Sequence, residues 1–266
     1  MYKILIGKRE FESWNNKFLI LQEKFPKNIF LYDFINKKNL LELINKYKIN
    51  LIIPLSFEDM YLVSNSNIEC EYLSPNDYND IINLDDKCKF IKYFIDNNLD
   101  KYLPKTYEIK SKDIQYNKPI IYPAIQKINI GFGGNGIYLL KNKNDIKKIN
   151  NYIIQEYIIN KDEYGGHFVC KNGEIIFHKI LKKNHNKDFY IEKGPMDEFE
   201  IIDIDLCDFI IIFNKIKYTG ACCVDFKYIN NKIYIFEINP RFGGTLIENY
   251  IFIEFFSNLI NSYNKI

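Results

Sequence analysis

The sequence predicts a mixed fold: a Rossmann-like α/β layer over residues 1–82, then an α+β part over residues 83–266. Three features of the chain predict it. Strand-like and helix-like runs alternate from Lys3 to Leu73, the pattern of a parallel sheet with helices on its faces. Further on, Asn172-Gly173 and Asn230-Asn231 each sit between two strand-like runs, as hairpin turns do. Between these regions a strand ending in Lys127 opens into a loop carrying Gly131, Gly133, Gly134 and Gly136.

From the N-terminus, Lys3 to Gly7 reads as a short strand. Phe11 to Phe25 reads as an amphipathic helix, because Trp14, Phe18, Leu21 and Phe25 recur at helical spacing. A strand over 28–34, a helix over 38–47 with Leu41, Ile44 and Tyr47 on one face, and a strand over 50–55 follow. A short helix near 57–63 and a strand around 69–73 complete the layer. No glycine lies between Gly7 and Gly131, so the dinucleotide fingerprint is missing and this layer is expected to hold no nucleotide. Ser74-Pro75-Asn76-Asp77 is a turn cluster and a boundary. Asp85 or Asp86 caps an amphipathic helix over 88–97, whose apolar face is Phe90, Ile91, Phe94 and Ile95. Residues 143–150 read as a helix, 152–158 as a strand, and 167–171 with 174–181 as a hairpin. The polar stretch from Lys182 to Met196 is the longest irregular segment, with Lys182 and Lys183 either solvated or reaching phosphate or substrate. Helices over about 203–217 and from Leu246 towards Tyr263 close the chain.

The chemistry concentrates in the second hairpin. Glu237, Asn239 and Arg241 stand two apart, so on a strand they project to one face, and Asp225 can join them from the adjacent strand. Two carboxylates and an amide oxygen are the hard donors that Mg²⁺ takes beside phosphate oxygens, and arginine suits two-pronged phosphate contact. The bland counterpart is a solvated strand face alternating with Phe236, Ile238 and Pro240. The glycine loop either brings backbone N–H groups to phosphate while Lys127 reaches in, or is an ordinary flexible hairpin. It is not a P-loop, since no Gly-Lys-Ser/Thr follows it. Gly243-Gly244-Thr245 either offers backbone donors to phosphate or acyl oxygen, or caps a helix. His167, His178 and His185 are too scattered for a metal cluster.

Composition narrows the function classes. With 36 Lys+Arg against 34 Asp+Glu, the net charge of +2 gives no electrostatic footprint for nucleic acid or an anionic membrane. The 21 Tyr and 21 Phe follow core periodicity and do not interleave with a basic patch, so base stacking is not indicated. Cys70, Cys88, Cys170, Cys207, Cys222 and Cys223 form no C-x-x-C pair and read as reduced, mostly buried thiols of a cytoplasmic protein. The N-terminus does not have the form of a signal peptide. The longest apolar run, Phe209 to Phe213, falls far short of the ~20 residues that span a bilayer. Dimers are common among soluble proteins, which makes a homodimer the expected assembly.

Taken together and in this order, the motifs resemble the ATP-grasp superfamily over nearly the whole chain, in its carboxylate–amine ligase-like branch with a carbamoyl-phosphate-synthase-type domain. The resemblance implies a pre-ATP-grasp domain over 1–82, then an ATP-grasp domain with a nucleotide lid at about 105–160 and a metal-binding core at about 161–266. Lys87, in Asp-Asp-Lys, and Lys127, in Pro-Ala-Ile-Gln-Lys, resemble the family's two phosphate-contacting lysines, with Gly131, Gly133, Gly134 and Gly136 as the flap. Gln155-Glu156-Tyr157-Ile158 resembles the hinge that meets the adenine, and Glu163 the acid that binds the ribose hydroxyls. Asp225, Glu237 and Asn239 match the ligands of Mg²⁺, or of Mn²⁺, and Arg241 joins Lys127 at the transferred phosphate of ATP. The implied activity joins a small-molecule carboxylate to an amine through an acylphosphate, releasing ADP and phosphate. Its rivals are a phosphotransferase acting on a non-carboxylate and a catalytically silent ATP-binding regulatory protein. Neither a biotin-carrier segment nor a glutaminase domain is expected, which argues against multidomain carboxylase roles.

Overall fold

A computed structural model describes residues 2–7, 12–75, 77–131, 134–159, 162–184, 199–247 and 249–263. The first layer is a parallel sheet of β1 (Ile4–Gly7), β2 (Ile29–Tyr32), β3 (Leu51–Ile53) and β4 (Glu71–Tyr72), in the order β2-β1-β3-β4. Helices α1 (Glu12–Lys24), α2 (Lys37–Tyr47) and α3 (Phe57–Ser64) connect the strands. The helical spacing read in α1 is real, since Trp14, Phe18 and Leu21 are all buried. Asn36 and Ser56 start α2 and α3 by accepting the amides of Asn39 and Asp59.

Asp59, in the first turn of α3, is a buried carboxylate. Only 6% exposed, it packs against Gly7, where any Cβ would collide with it, and accepts the Leu55 amide at 3.3 Å. Burial pushes its carboxyl up from 3.8 to about 6. The unfolded chain therefore ionises first, and folding is penalised progressively between those two values and fully above the higher one. Asp59→Asn keeps the acceptor without the charge. It is expected to raise stability at pH 7 by about 1–2 kcal/mol and to change little at pH 4, read from urea titrations at both values.

A helix not read from the sequence, α4 (Tyr78–Asp85), follows the turn cluster. Only Ile81 and Leu84 anchor it, among asparagine and aspartate of poor helix propensity, so its periodic signal is weak. Asp86 then does two jobs. It terminates α4, and its side chain accepts the Lys89 amide at 2.9 Å to start α5 (Lys87–Asp96).

The second sheet is antiparallel and holds β5 (Thr106–Lys110), β6 (Gln115–Asn117), β7 (Ala124–Ile128), β8 (Ile137–Leu140) and β9 (Tyr152–Glu156), in the order β6-β5-β9-β7-β8. The helix expected over 143–150 is not there: one 3-10 turn, Lys143–Asp145, is followed by extended chain. Buried Gln126 explains it. Its amide accepts from the Lys147 N–H at 2.8 Å and donates to the Lys147 carbonyl at 3.0 Å, taking both groups that a helix would need.

The third sheet, also antiparallel, runs β12 (Glu200–Ile202), β11 (Glu174–Asn184), β10 (Asp162–Lys171), β13 (Gly220–Ile229), β14 (Lys232–Asn239). Asn172-Gly173 and Asn230-Asn231 make its two hairpin turns, all four residues at positive φ. The irregular stretch begins later than expected, because Lys182 and Lys183 lie on β11 opposite Tyr164 and Glu163. A carboxylate on the neighbouring strand holds the first of them there: Lys182 pairs with Asp162 at 3.1 Å. His185, and residues 185–198 generally, lie outside the described residues. Helix α6 (Cys207–Ile216) covers one face, and a 3-10 turn, Gly244–Ile247, leads into α7 (Asn249–Tyr263).

Two large cores result. In one, α5 and α6 pack on the third sheet through Phe90, Phe94, Phe168, Phe209, Phe213 and Phe226. In the other, α7 returns to the first layer, and Trp14 and Phe18 of α1 pack on Phe252 and Phe256. No helix among the described residues is long and apolar enough to cross a membrane.

Candidate functional site

The third sheet presents the acids as a rung. Asp225 on β13 stands directly opposite Glu237 on β14, with Gly165 of β10 on its other side. Two rungs along, Asn239 faces Cys223, which faces His167. Residues at alternate positions share a face, so Asp225, Glu237 and Asn239 project together, as the spacing predicts. The Asn239 amide donates to Glu237 Oε1 at 3.3 Å, which leaves its carbonyl oxygen as a donor atom for a cation. Among the described residues no three His, Cys, Asp or Glu side chains form a metal cage, so the available set is two carboxylates and an amide.

Two lysines arrive from elsewhere. Lys87, the first residue of α5, pairs with Glu237 Oε2 at 2.9 Å and donates to the Gly131 carbonyl at 3.2 Å. Lys127, on β7, is buried with its Nζ 4.7 Å from the centre of the Phe236 ring. Burial lowers Lys127 to about 8 despite the attraction of Glu237. The two acids are driven apart. Burial and then the charge of Glu237 push Asp225 up, whereas Lys87 and Lys127 outweigh burial at Glu237 and hold it down. Arg241 leaves the strand end, its amide bonded to the Asn239 carbonyl at 2.7 Å and its guanidinium to the Phe242 carbonyl at 3.3 Å. Burial raises the nearby Asp85, while Arg241 and Lys87 draw it down.

The glycine loop folds over Ile128. A Cβ on Gly131 or Gly136 would collide with the Ile128 side chain, and Gly136 and Gly134 have φ near +73° and +72°. Gly133 lies outside the described residues. At the far end of the site, a Cβ on Gly243 would strike Cys223, so the turn after Arg241 lies directly on the sheet. There Thr245 Oγ1 stands 2.6 Å from His167 Nε2, and burial holds the His167 ring neutral, at about 3.

The hinge residues occupy the passage from the second sheet to the third. Gln155 is buried and donates to the Thr106 hydroxyl at 3.2 Å. The Glu156 carboxylate accepts the Lys105 amide at 2.9 Å while its own amide donates to the Lys105 carbonyl at 2.8 Å, so both groups extend the pairing of β5 with β9 by one residue. Tyr157 and Ile158 are half-buried after β9, and Ile158 offers its carbonyl to Lys227. Glu163 begins β10 opposite Lys183, whose charge also reaches Asp225 and His167.

Three residues here escaped the sequence reading. The sequence alternates Phe236 with Glu237, yet a β-bulge between Asp225 and Phe226 in the register leaves Phe236 unpaired, and its ring lies beneath Lys127. Asn129 accepts the Cys88 amide at 2.9 Å and donates to Asp86 at 2.7 Å, fastening the end of β7 to the start of α5. Lys227 was one lysine among many. None carries a local signal, because each acts through a long-range contact.

The residues present suit a magnesium nucleotide: hard oxygen donors on the sheet, two lysines and an arginine around them, and a glycine loop over one lysine. The model of the ATP-grasp domain matches residues 84–245. The D-alanine–D-alanine ligase of Campylobacter jejuni is 25% identical over 174 residues, 58% of this chain, and the chain spans about half, 49%, of that relative. Among solved structures, the D-alanine–D-alanine ligase of Bacillus anthracis superposes with a TM-score of 0.59 at 14% identity, covering 100% of both chains. The L-amino acid ligase of Bacillus licheniformis gives 0.59 at 12% identity, over 93% of this chain and 69% of its own. At such identity the structural likeness speaks for the fold alone. With a family model matching most of its length and that fold, the chain belongs to the ATP-grasp family.

Proposed function

We propose that the protein is an ATP-dependent ligase that activates a small-molecule carboxylate as an acylphosphate and couples it to an amine. The observation that carries the reading is the rung of Asp225 and Glu237, joined by Asn239 and met by Lys87 at 2.9 Å. Bound ATP with Mg²⁺ supplies the phosphoryl group and neutralises its charge. Asp225, Glu237 and Asn239 would hold the metal, and Lys87, Lys127 and Arg241 the phosphates. Phosphoryl transfer depends mainly on positioning and charge, which these residues supply. A carboxylate oxygen of the substrate bonds to the terminal phosphorus as the bond to ADP breaks. The amine then attacks the acyl carbon, phosphate leaves, and the nitrogen loses a proton. The ligases similar to this chain lend the reaction class support.

The test is ADP release with Mg-ATP across pools of amino acids and small acids, with Arg241→Ala as control. At least one pool is expected to release ADP, and the arginine variant to be slower by about 10²-fold. If no pool exceeds the control, the ligase reading fails. A stable phosphorylated product with no amine joined would replace it with phosphotransfer.

A further inference from the structure

Lys227 is a lysine with almost no surface. It is 5% exposed, on β13 two residues beyond Asp225 and on the same face of the sheet. Its Nζ donates to the Ile158 carbonyl at 3.2 Å and lies 4.0 Å from Glu163 Oε1. Ile158 belongs to the segment leaving β9 in the second sheet, and Glu163 to the start of β10 in the third. One ammonium group therefore touches both sides of the passage between the sheets. Taking an ammonium out of water is costly, and a methionine would fill similar volume without that penalty. Packing alone does not explain a lysine here; a carbonyl to bond and a carboxylate close by favour one.

We propose that Lys227 is a positioning residue of the nucleotide site, fixing the Ile158 carbonyl and the Glu163 carboxylate relative to each other and thereby setting recognition of the ribose hydroxyls. The inference rests on the nucleotide reading given above. Without the ammonium, the Glu163 carboxylate loses the cation 4.0 Å from it on the hinge side and the hinge carbonyl loses a donor. The acid then turns towards solvent and no longer meets the sugar at a set distance.

The experiment is calorimetric titration of the full chain with ATP and with 2′,3′-dideoxy-ATP. Wild type is expected to prefer ATP. Lys227→Met is expected to bind ATP about ten-fold more weakly and to lose the preference, matching Glu163→Gln. The double variant is expected to be no worse than Lys227→Met, because both changes remove one arrangement. Lys227→Gln can still donate to Ile158 but brings no charge to Glu163. It is expected to lose the preference while binding the dideoxy nucleotide nearly as wild type does, and it carries the same test if the methionine variant does not fold. An intact preference for ATP in the Lys227 variants overturns the inference, as does full additivity in the double variant. Failure of the wild type to bind ATP overturns the nucleotide reading itself, a distinguishable result that takes this inference with it.

Discussion

Glu237→Gln is expected to lower ATP turnover by about 10³-fold, the largest catalytic loss of any single change to this chain. Glu237 links the acids of the site to its lysines. It stands opposite Asp225, accepts from Asn239 and pairs with Lys87, whose side chain is only 9% exposed. The amide keeps the shape and removes a charge that a divalent cation needs. It also leaves Lys87 and Lys127 facing each other with less to offset them, and releases Asp225 from the neighbour that pushes its carboxyl up. Glu237 is 28% exposed, so solvent softens the structural cost, which is expected to be about 2 kcal/mol. Turnover and a melting curve separate the two effects. Activity above about a tenth of wild type, in a folded variant, would exclude Glu237 as a metal ligand.

Phe252→Ala is expected to be the most damaging change to stability, at about 4 kcal/mol. Its ring centre lies 4.8 Å from Phe18, 4.7 Å from Phe256 and 6.0 Å from Trp14, and it is fully buried. Truncation opens a cavity between the first layer and α7 that no flexible side chain can fill. Domains of this size are stable by roughly 5–15 kcal/mol, so the variant should unfold at much lower urea concentration. The damage should also reach the site. Phe256 stacks edge-on against Phe242 at 5.2 Å, and Phe242 directly follows Arg241. Weaker ATP binding is therefore expected in the variant even where it remains folded. Phe252→Leu should restore most of the stability. A loss under about 1 kcal/mol for the alanine variant would mean that α7 is held elsewhere.

Much of the fold is legible where periodicity is strong. Trp14, Phe18 and Leu21 announce α1, and positive-φ turns at Asn172-Gly173 and Asn230-Asn231 mark the two long hairpins. The approach of Asp225 to Glu237 follows from the second of those turns. Misreadings occur where a distant group overrides local preference. Gln126 takes the hydrogen bonds of Lys147 and abolishes a helix; Asp162 holds Lys182 to a strand; and α4 forms with little apolar pattern because both its ends are capped. Phe236 shows the limit most clearly. Strict alternation puts it opposite in sense to Glu237, and only the bulge brings its ring to Lys127. A bulge depends on how two strands align, which neither strand states alone.

Asp86 deserves its place beside the charged residues although it touches no phosphate. Its backbone amide ends α4 on the Ile82 carbonyl while its carboxylate opens α5 and takes a bond from Asn129, so three segments converge on the residue just before Lys87. The lysine is thereby surveyed from three directions, like a point fixed by triangulation. Drift in any one segment is checked by the other two, and its ammonium can reach Glu237 and Gly131 without first searching for them.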